Sequence, residues 1–99
     1  MPTYLVTYKF GMNDDYLDRH DRFMAHLTVG DWWAETGSTI IAHNDDPIDE
    51  FCFRVFSPDN FDEAQDVAVV FDLENREGRA RGRFLDYGLF TVAPWIERL

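Results

Sequence analysis

The chain has 99 residues, 45% of them hydrophobic and 16% aromatic, and its length predicts one domain over residues 1–99 rather than two separate cores. The aromatic content excludes a disordered acidic tail, and a domain this small gains stability from association, so we expect a homodimer. Nine Lys and Arg against nineteen Asp and Glu give a net charge of −10, which disfavours nucleic-acid binding across the whole surface.

The first half of the chain predicts a strand, a helix and a hairpin. Alternating apolar residues predict the first strand over 3–10. Apolar residues at helical spacing then predict a helix that begins with an N-cap at Asn13 and ends near Gly30. Tryptophans and β-branched residues predict two short strands, 31–35 and 38–43, joined by a tight turn.

The segment after the hairpin matches both strand alternation and helical spacing. The Asp46-Pro47 start, followed by two acidic residues, favours a helix over 47–57. A β-branched and aromatic run predicts a central strand over 66–73, and an edge strand over 79–84 follows it. A short amphipathic turn is predicted after Pro94. The order β-α-β-β-α-β plus a C-terminal tail strand predicts an α+β fold of the ferredoxin-like, split βαβ type.

Cysteine content and hydropathy bear on the cellular compartment. The single Cys52 has no partner for an internal disulfide, and the sequence contains no Cys/His spacing typical of zinc. The longest apolar run, 67–71, is too short to span a membrane, and the first ten residues lack the basic segment of a secretory signal. We therefore expect a cytoplasmic protein with no membrane association, no metal and no cofactor.

Several segments resemble the small CRISPR-associated adaptation nucleases. They are Tyr4-Leu5-Val6-Thr7-Tyr8, Gly30-Asp31-Trp32-Trp33, Ser38-Thr39-Ile40-Ile41 and Val67-Ala68-Val69-Val70-Phe71. The resemblance covers residues 3–57 and 66–74 and is greatest to the stand-alone, SinR-like relatives of that family, with the VapD toxins more distant. It implies a ferredoxin-like homodimer whose members cleave RNA or DNA or hold DNA as a scaffold.

The resemblance also bears on catalysis. In active members of the family an aspartate at the end of the first strand meets its symmetry mate and holds a divalent metal, and the matching position here is Lys9. An ammonium group cannot ligate Mg²⁺, and two of them across a dimer axis repel the ion. The resemblance therefore implies a catalytically silent or very weak relative with no catalytic residue. An active metal-dependent ribonuclease that uses other carboxylates is an alternative.

Positive charge is concentrated in an Arg-rich C-terminal extension, 76–99, with five bases and three acids, against four bases and sixteen acids in 1–75. If 79–84 is a strand, its alternate arginines project from one face, where they can contact phosphates. The candidates for binding nucleic acid or a partner are Lys9, Arg76, Arg79, Arg81 and Arg83. Alternatively, the arginines neutralise the acidic surface of this chain or of a dimer mate, and Lys9 is a solvated strand end.

An acidic group stands at the predicted start of the second helix and carries a different hypothesis. Such a surface can imitate a phosphate backbone and bind a basic protein partner, as an anti-CRISPR-like, anti-defence inhibitor of a nucleic-acid-processing enzyme does. It is equally explained as a surface adapted to solubility or to a salty cytoplasm. The residues of this acidic partner surface are Asp45, Asp46, Asp49 and Glu50.

Three further groups have a structural explanation that we favour over a functional one. A histidine with two aspartates can bind a transition metal, but turns before helices are rich in Asp. Aspartates at the start of the first helix suit its dipole better than they suit a metal. The tryptophans can stack on bases, but we expect them in the core or in a dimer interface. The groups are His43, Asp45 and Asp46; Asp14, Asp15 and Asp18; and Trp32, Trp33 and Trp95.

Overall fold

The structure is a computed structural model that describes residues 2–99. Over these residues the chain forms an α+β domain with six strands and three helices. In chain order they are β1 (Thr3–Lys9), α1 (Tyr16–Leu27), β2 (Trp32–Trp33), β3 (Thr39–His43), α2 (Ile48–Val55), β4 (Val67–Asp72), β5 (Glu77–Gly82), α3 (Gly88–Val92) and β6 (Ile96–Arg98).

All six strands belong to one sheet with the order β2-β3-β1-β4-β5-β6. Neighbouring strands are antiparallel except β5 and β6, which are parallel. β1 lies inside the sheet between β3 and β4, and Leu5 is aligned with Ile41 on one side and Phe71 on the other. Residues that face each other across strands share a sheet face, so this register defines the two faces.

The first face of the sheet packs against α1 and α2 and forms the main core. Tyr4 and Val6 alternate inward from β1, and α2 places the Phe51 ring 4.5 Å from the Tyr4 ring in a stacked arrangement. Phe23 and Leu27 of α1 close the same core, as helical spacing predicts. Burying each such side chain contributes about 1.5–3 kcal/mol, so this cluster supplies most of the driving force for folding.

The C-terminal segment covers only part of the second face. A smaller cluster there contains Val69 and Ala80 of β4 and β5 together with Ala93 and Ile96. On the same face, Leu5 and Ile41 are half-buried, and the neighbouring Trp33 is 46% exposed. The half of this face formed by β1, β3 and β2 is therefore less covered than the half formed by β4 and β5.

The C-terminal third departs from the sequence prediction. The strand predicted over 79–84 is β5, which ends at Gly82 and is not an edge strand because β6 pairs beside it. The turn predicted after Pro94 is β6 itself, and the preceding α3 was not predicted. A five-residue helix and a three-residue strand are too short to show a hydrophobic periodicity in the sequence. Their conformation therefore depends on contacts with the sheet.

Two predicted boundaries in the first half also change. The helix begins at Tyr16 rather than next to Asn13, because the Asn13 side-chain oxygen accepts a hydrogen bond from Arg19 at 2.7 Å instead of capping the helix. The strand predicted over 31–35 is reduced to Trp32–Trp33. The helix predicted over 47–57 is present as α2, with Pro47 as its N-cap.

Candidate binding sites

A buried ion pair connects the chain where β1 ends and β4 begins. Arg19 of α1 and Asp66, just before β4, are 2% and 0% exposed. Arg19 Nε donates to Asp66 Oδ2 at 2.8 Å, and Nη2 donates to Oδ1 at 2.9 Å. The backbone N–H groups of Gly11 and Asp62 donate to the same carboxylate at 2.8 and 2.9 Å. Both Asp66 oxygens are therefore fully paired, and the loops before α1 and before β4 are joined.

The Arg19–Asp66 pair was not predicted from the sequence. The hydrogen bond with Asp66 raises the pKa of Arg19, and Nη1 also donates to Asp15 Oδ1 at 2.7 Å. The available signal was position: Arg19 precedes Phe23 and Leu27 by four and eight residues on the buried stripe of α1. A buried arginine requires a buried acid, and Asp66 at the start of the most apolar strand is the candidate.

Two of the five basic residues predicted to bind nucleic acid or a partner form ion pairs within the chain. Arg79 Nε lies 3.0 Å from Asp49 Oδ1 and 3.4 Å from Glu97 Oε2. Arg81 Nη2 lies 2.9 Å from Glu63 Oε2. The predicted basic and acidic sets therefore meet at the Arg79–Asp49 contact. These two arginines share the helix-covered face of β5. Their ion pairs there agree with the alternative that the arginines neutralise the acidic surface of this chain.

Arg83 takes a different direction from Arg79 and Arg81. Gly82 has φ +118°, a left-handed conformation that ends the strand, and the Arg83 N–H donates to the Asp66 carbonyl at 2.9 Å. The expectation that the three arginines project from one strand face is therefore wrong for Arg83, because alternation stops at Gly82. Arg76 lies in the turn between β4 and β5 with φ 53° and is exposed.

Lys9 and Arg83 line the same cavity, which we call the Lys9–Arg83 cavity. It has a volume of about 420 Å³ and lies where β1 ends and where the chain leaves β5. Both cations are exposed, and neither forms an ion pair with another residue among 2–99. The remaining lining residues are Phe10, Gly11, Gln65, Val67, Phe84, Leu85 and Asp86.

The acidic partner surface includes the turn before α2 and the first turn of α2, and three of its four residues lie beside an exposed aromatic ring. Phe53 is 82% exposed and lines a cavity of about 520 Å³ with Asp46, Asp49, Glu50 and Arg54. Asp46 forms an ion pair with Arg54, as Asp49 does with Arg79. The buried residues of α2 are Ile48, Phe51, Cys52 and Val55, and helical spacing puts Phe53 outside that stripe, so its exposure could have been predicted from the sequence.

One residue in each group of candidate metal ligands forms an ion pair with an arginine. His43, Asp45 and Asp46 line one cavity of about 400 Å³ with Arg54, the ion-pair partner of Asp46. At the start of α1, the Asp15 carboxylate pairs with Arg19, whereas Asp14 and Asp18 are exposed. Within residues 2–99, no three His, Cys, Asp or Glu side chains are arranged to hold a metal ion.

The tryptophans do not share one environment. Trp32 and Trp33 are 54% and 46% exposed and point to opposite faces of β2, so neither packs in the core of this chain, and a place in a dimer interface stays a prediction. Two residues at a sheet edge have a neighbouring strand on one side only, which leaves large rings uncovered. Trp95 packs into the smaller cluster with its ring 6.1 Å from that of Phe71.

In the part of the chain that the structure describes, no helix has the length and apolar content needed to cross a membrane. No family model, no curated protein and no solved structure matches this chain.

Proposed function

We propose that the chain is a binding module on a ferredoxin-like domain, a catalytically silent relative of the CRISPR-type adaptation nucleases. The order β2-β3-β1-β4, with α1 after β1 and α2 between β3 and β4, supports the split βαβ assignment. Lys9 at the end of β1 supports the absence of metal-dependent cleavage, because it supplies a positive charge where a metal ligand is required. The free, buried Cys52 is consistent with a reducing cytoplasm.

The function that the geometry supports best is binding of a basic protein through the acidic partner surface. The observation that carries it is Phe53, 82% exposed among Asp46, Asp49 and Glu50. An exposed aromatic ring with a charged rim is typical of interface hot spots, and the rim selects a partner of opposite charge. Such a partner is a nucleic-acid-processing enzyme whose phosphate-binding surface the carboxylates occupy, which makes the chain an inhibitor.

A complex with such an enzyme is expected to depend on Phe53. After capture of the partner from a lysate and purification, Phe53→Ala should weaken the complex by at least about 30-fold, the effect of an interface hot spot. The double change Asp45→Asn with Glu50→Gln should weaken it and reduce its dependence on salt, since neither carboxylate has an ion-pair partner among residues 2–99. Calorimetry at two salt concentrations measures both effects.

The matched control is Asp18→Asn with Asp21→Asn, which removes the same charge from the exposed side of α1. An inhibitor that imitates nucleic acid must also be displaced by duplex DNA. A complex that Phe53→Ala leaves intact, or that duplex DNA does not displace, would contradict the proposal.

Nucleic-acid binding is a second candidate function, favoured by Lys9 and Arg83, two cations at one cavity with no ion-pair partner among residues 2–99. Arg76 can add to it, whereas Arg79 and Arg81 would first have to leave their carboxylates. If this surface binds nucleic acid, log Kd should change with log salt by about 0.9 per neutralised phosphate. A gel shift at low salt that shows no retarded species excludes this candidate.

With Mg²⁺ or Mn²⁺ present, the purified protein is expected to leave single-stranded RNA and duplex DNA intact. Lys9 replaces the carboxylate that would hold the ion, and Asp86 is the one carboxylate beside it in the cavity. A gel assay over several hours measures cleavage. Metal-dependent cleavage of the RNA that is lost in Asp86→Asn would show that the chain is an active ribonuclease.

We also propose a homodimer that forms through the less covered half of the second sheet face. A row of apolar residues crosses this half from Trp33 through Ile41 to Leu5. Truncation after Gly78 cannot test it, because β6 pairs with β5 inside the chain and Ile96 is part of the smaller cluster. Dimerisation must therefore be tested by substitution.

Light scattering should give a mass of about 23 kDa, twice the 11.6 kDa of one chain. Trp33→Ala should weaken the dimer by at least about 30-fold if the ring is central to the interface. Trp32→Ala removes an equally large ring from the opposite face and should leave the mass unchanged. A monomer at high concentration, or equal effects of the two changes, would contradict a dimer through this face.

A further inference from the structure

Beyond the protein interface on α2, we propose that the Lys9–Arg83 cavity binds a small anion with a planar apolar body, carrying one carboxylate or one phosphate. The volume of about 420 Å³ lies within the range of small-molecule sites, about 300–1,000 Å³. Such sites combine apolar walls with a few polar groups that orient the ligand. The cavity has this composition.

The charges at the cavity select an anion. Lys9 and Arg83 supply two positive charges, and neither has a carboxylate partner among residues 2–99. Asp86, the one acidic lining residue, already accepts the Gly88 N–H at 2.8 Å through Oδ1. A carboxylate or phosphate is the complement of an arginine and a lysine, since the guanidinium binds two of its oxygens at once.

The walls of the cavity select an apolar body. Phe10, Val67, Phe84 and Leu85 line it, so a fully hydrated inorganic ion would leave most of the surface unused. The Phe84 ring packs against Phe90, with ring centroids 5.4 Å apart in an edge-on arrangement, and the Arg98 guanidinium carbon lies 5.7 Å from the Phe84 ring centroid. A braced aromatic wall suits a flat ligand, because stacking then requires no rearrangement.

The backbone around the cavity is closely packed. The Gly11 N–H is bonded to Asp66, and a Cβ at Gly11 would lie 2.6 Å from the Gln65 Cβ. A Cβ at Gly82 would lie 2.0 Å from the Asp66 carbonyl oxygen, so only glycine allows β5 to end this close to β4. Both lips of the cavity are thus fixed to the buried Arg19–Asp66 pair, and a ligand meets a preformed site.

The test is a titration of ¹⁵N-labelled protein, followed by NMR, with two anions and their neutral analogues. The carboxylate arm compares indole-3-acetate with indole-3-acetamide, and the phosphate arm compares AMP with adenosine. Concentrations reach about 10 mM, because a ligand of this size is expected to bind with a Kd of about 1 mM or below. We expect at least one anion to shift the amides of 9–11 and 83–86 saturably, and its neutral analogue to bind at least about 5-fold more weakly.

Matched variants assign the contact. Lys9→Gln and Arg83→Gln should each raise the Kd for the anion by at least about 5-fold, because each variant loses one charge-assisted contact. Arg81→Gln removes the same charge two residues away, from the side of β5 where Arg81 pairs with Glu63, and should change nothing. All three side chains are at least partly exposed, so the variants retain the fold, which their spectra confirm.

Several results would overturn the inference. They are the absence of saturable shifts with either anion, shifts confined to other parts of the chain, and equal affinity in Arg83→Gln. Binding of a thymidine octamer that neither small anion displaces would assign the cavity to nucleic acid instead. Because Phe53 lies on α2, its substitution affects the protein complex alone, so failure of this inference and failure of the proposed function are separable.

Discussion

Arg19→Met is expected to lower the free energy of unfolding by about 3–5 kcal/mol, because it leaves the Asp66 charge buried without its cation. Asp66 is 0% exposed and cannot recover hydration by a small movement. Total stabilities of domains are about 5–15 kcal/mol, so this single change removes much of the margin. Urea denaturation at a fixed protein concentration, which holds any dimer contribution constant, measures the loss.

The matched control is Arg81→Met, because it deletes the same guanidinium from a partly exposed ion pair with Glu63. Exposed pairs contribute about 0–1 kcal/mol, so the control should lie within that range. Asp66→Asn keeps the shape of the side chain and removes the charge, and we expect it to be destabilising as well, since Arg19 then loses its partner. If Arg19→Met cost no more stability than Arg81→Met, the Arg19–Asp66 pair would contribute no more than an exposed ion pair. That result would contradict its role in joining the loops before α1 and β4.

The fold was predictable wherever its signals are local. The predicted β1, α2 and β4 agree with the structure within two residues at each end. For β1 and β4 the signal is alternation or a continuous apolar run, and for α2 it is the Asp46-Pro47 start, all of which are properties of one segment. The α1 start was misplaced because the Asn13 side chain binds Arg19, a tertiary choice that capping preferences do not contain.

The C-terminal third was less predictable because its elements depend on one another. β6 pairs with β5 over three residues only, and α3 with the segment after it packs onto β4 and β5. None of these contacts produces a periodic pattern of apolar residues in the sequence. As a result, the predicted edge at β5 was wrong, although a strand there was correctly predicted.

The candidate sites show the same division. Phe53 is exposed because of its position on one helix, and helical spacing contains that information. The Lys9–Arg83 cavity requires that Lys9 be aligned with Val67, and Val67 with Gly82, across three strands. Such a register joins residues more than seventy positions apart in the chain and is set by packing of the whole sheet. Both cations were predicted from the sequence as binding residues, but their proximity in the fold could not be predicted.

Gly82→Ala is expected to destabilise the domain by about 3–5 kcal/mol, the sum of backbone strain and overpacking. Its φ of +118° is rare for residues with a side chain, and a Cβ would lie 2.0 Å from the Asp66 carbonyl oxygen and 2.8 Å from the Val67 Cα. Both neighbours are backbone atoms held in place by the Arg19–Asp66 pair and the β4–β5 pairing. Relief of the clash therefore requires that the two strands separate.

Gly37→Ala separates the two causes, because Gly37 also has a positive φ, +87°, but no atom within 4 Å of its Cβ position. It should cost only the strain of the backbone, about 1 kcal/mol. The difference between the two variants in urea denaturation then measures how tightly β5 ends against β4. Equal losses would mean that the strands yield freely, and the lip of the cavity that carries Arg83 would then be flexible rather than preformed.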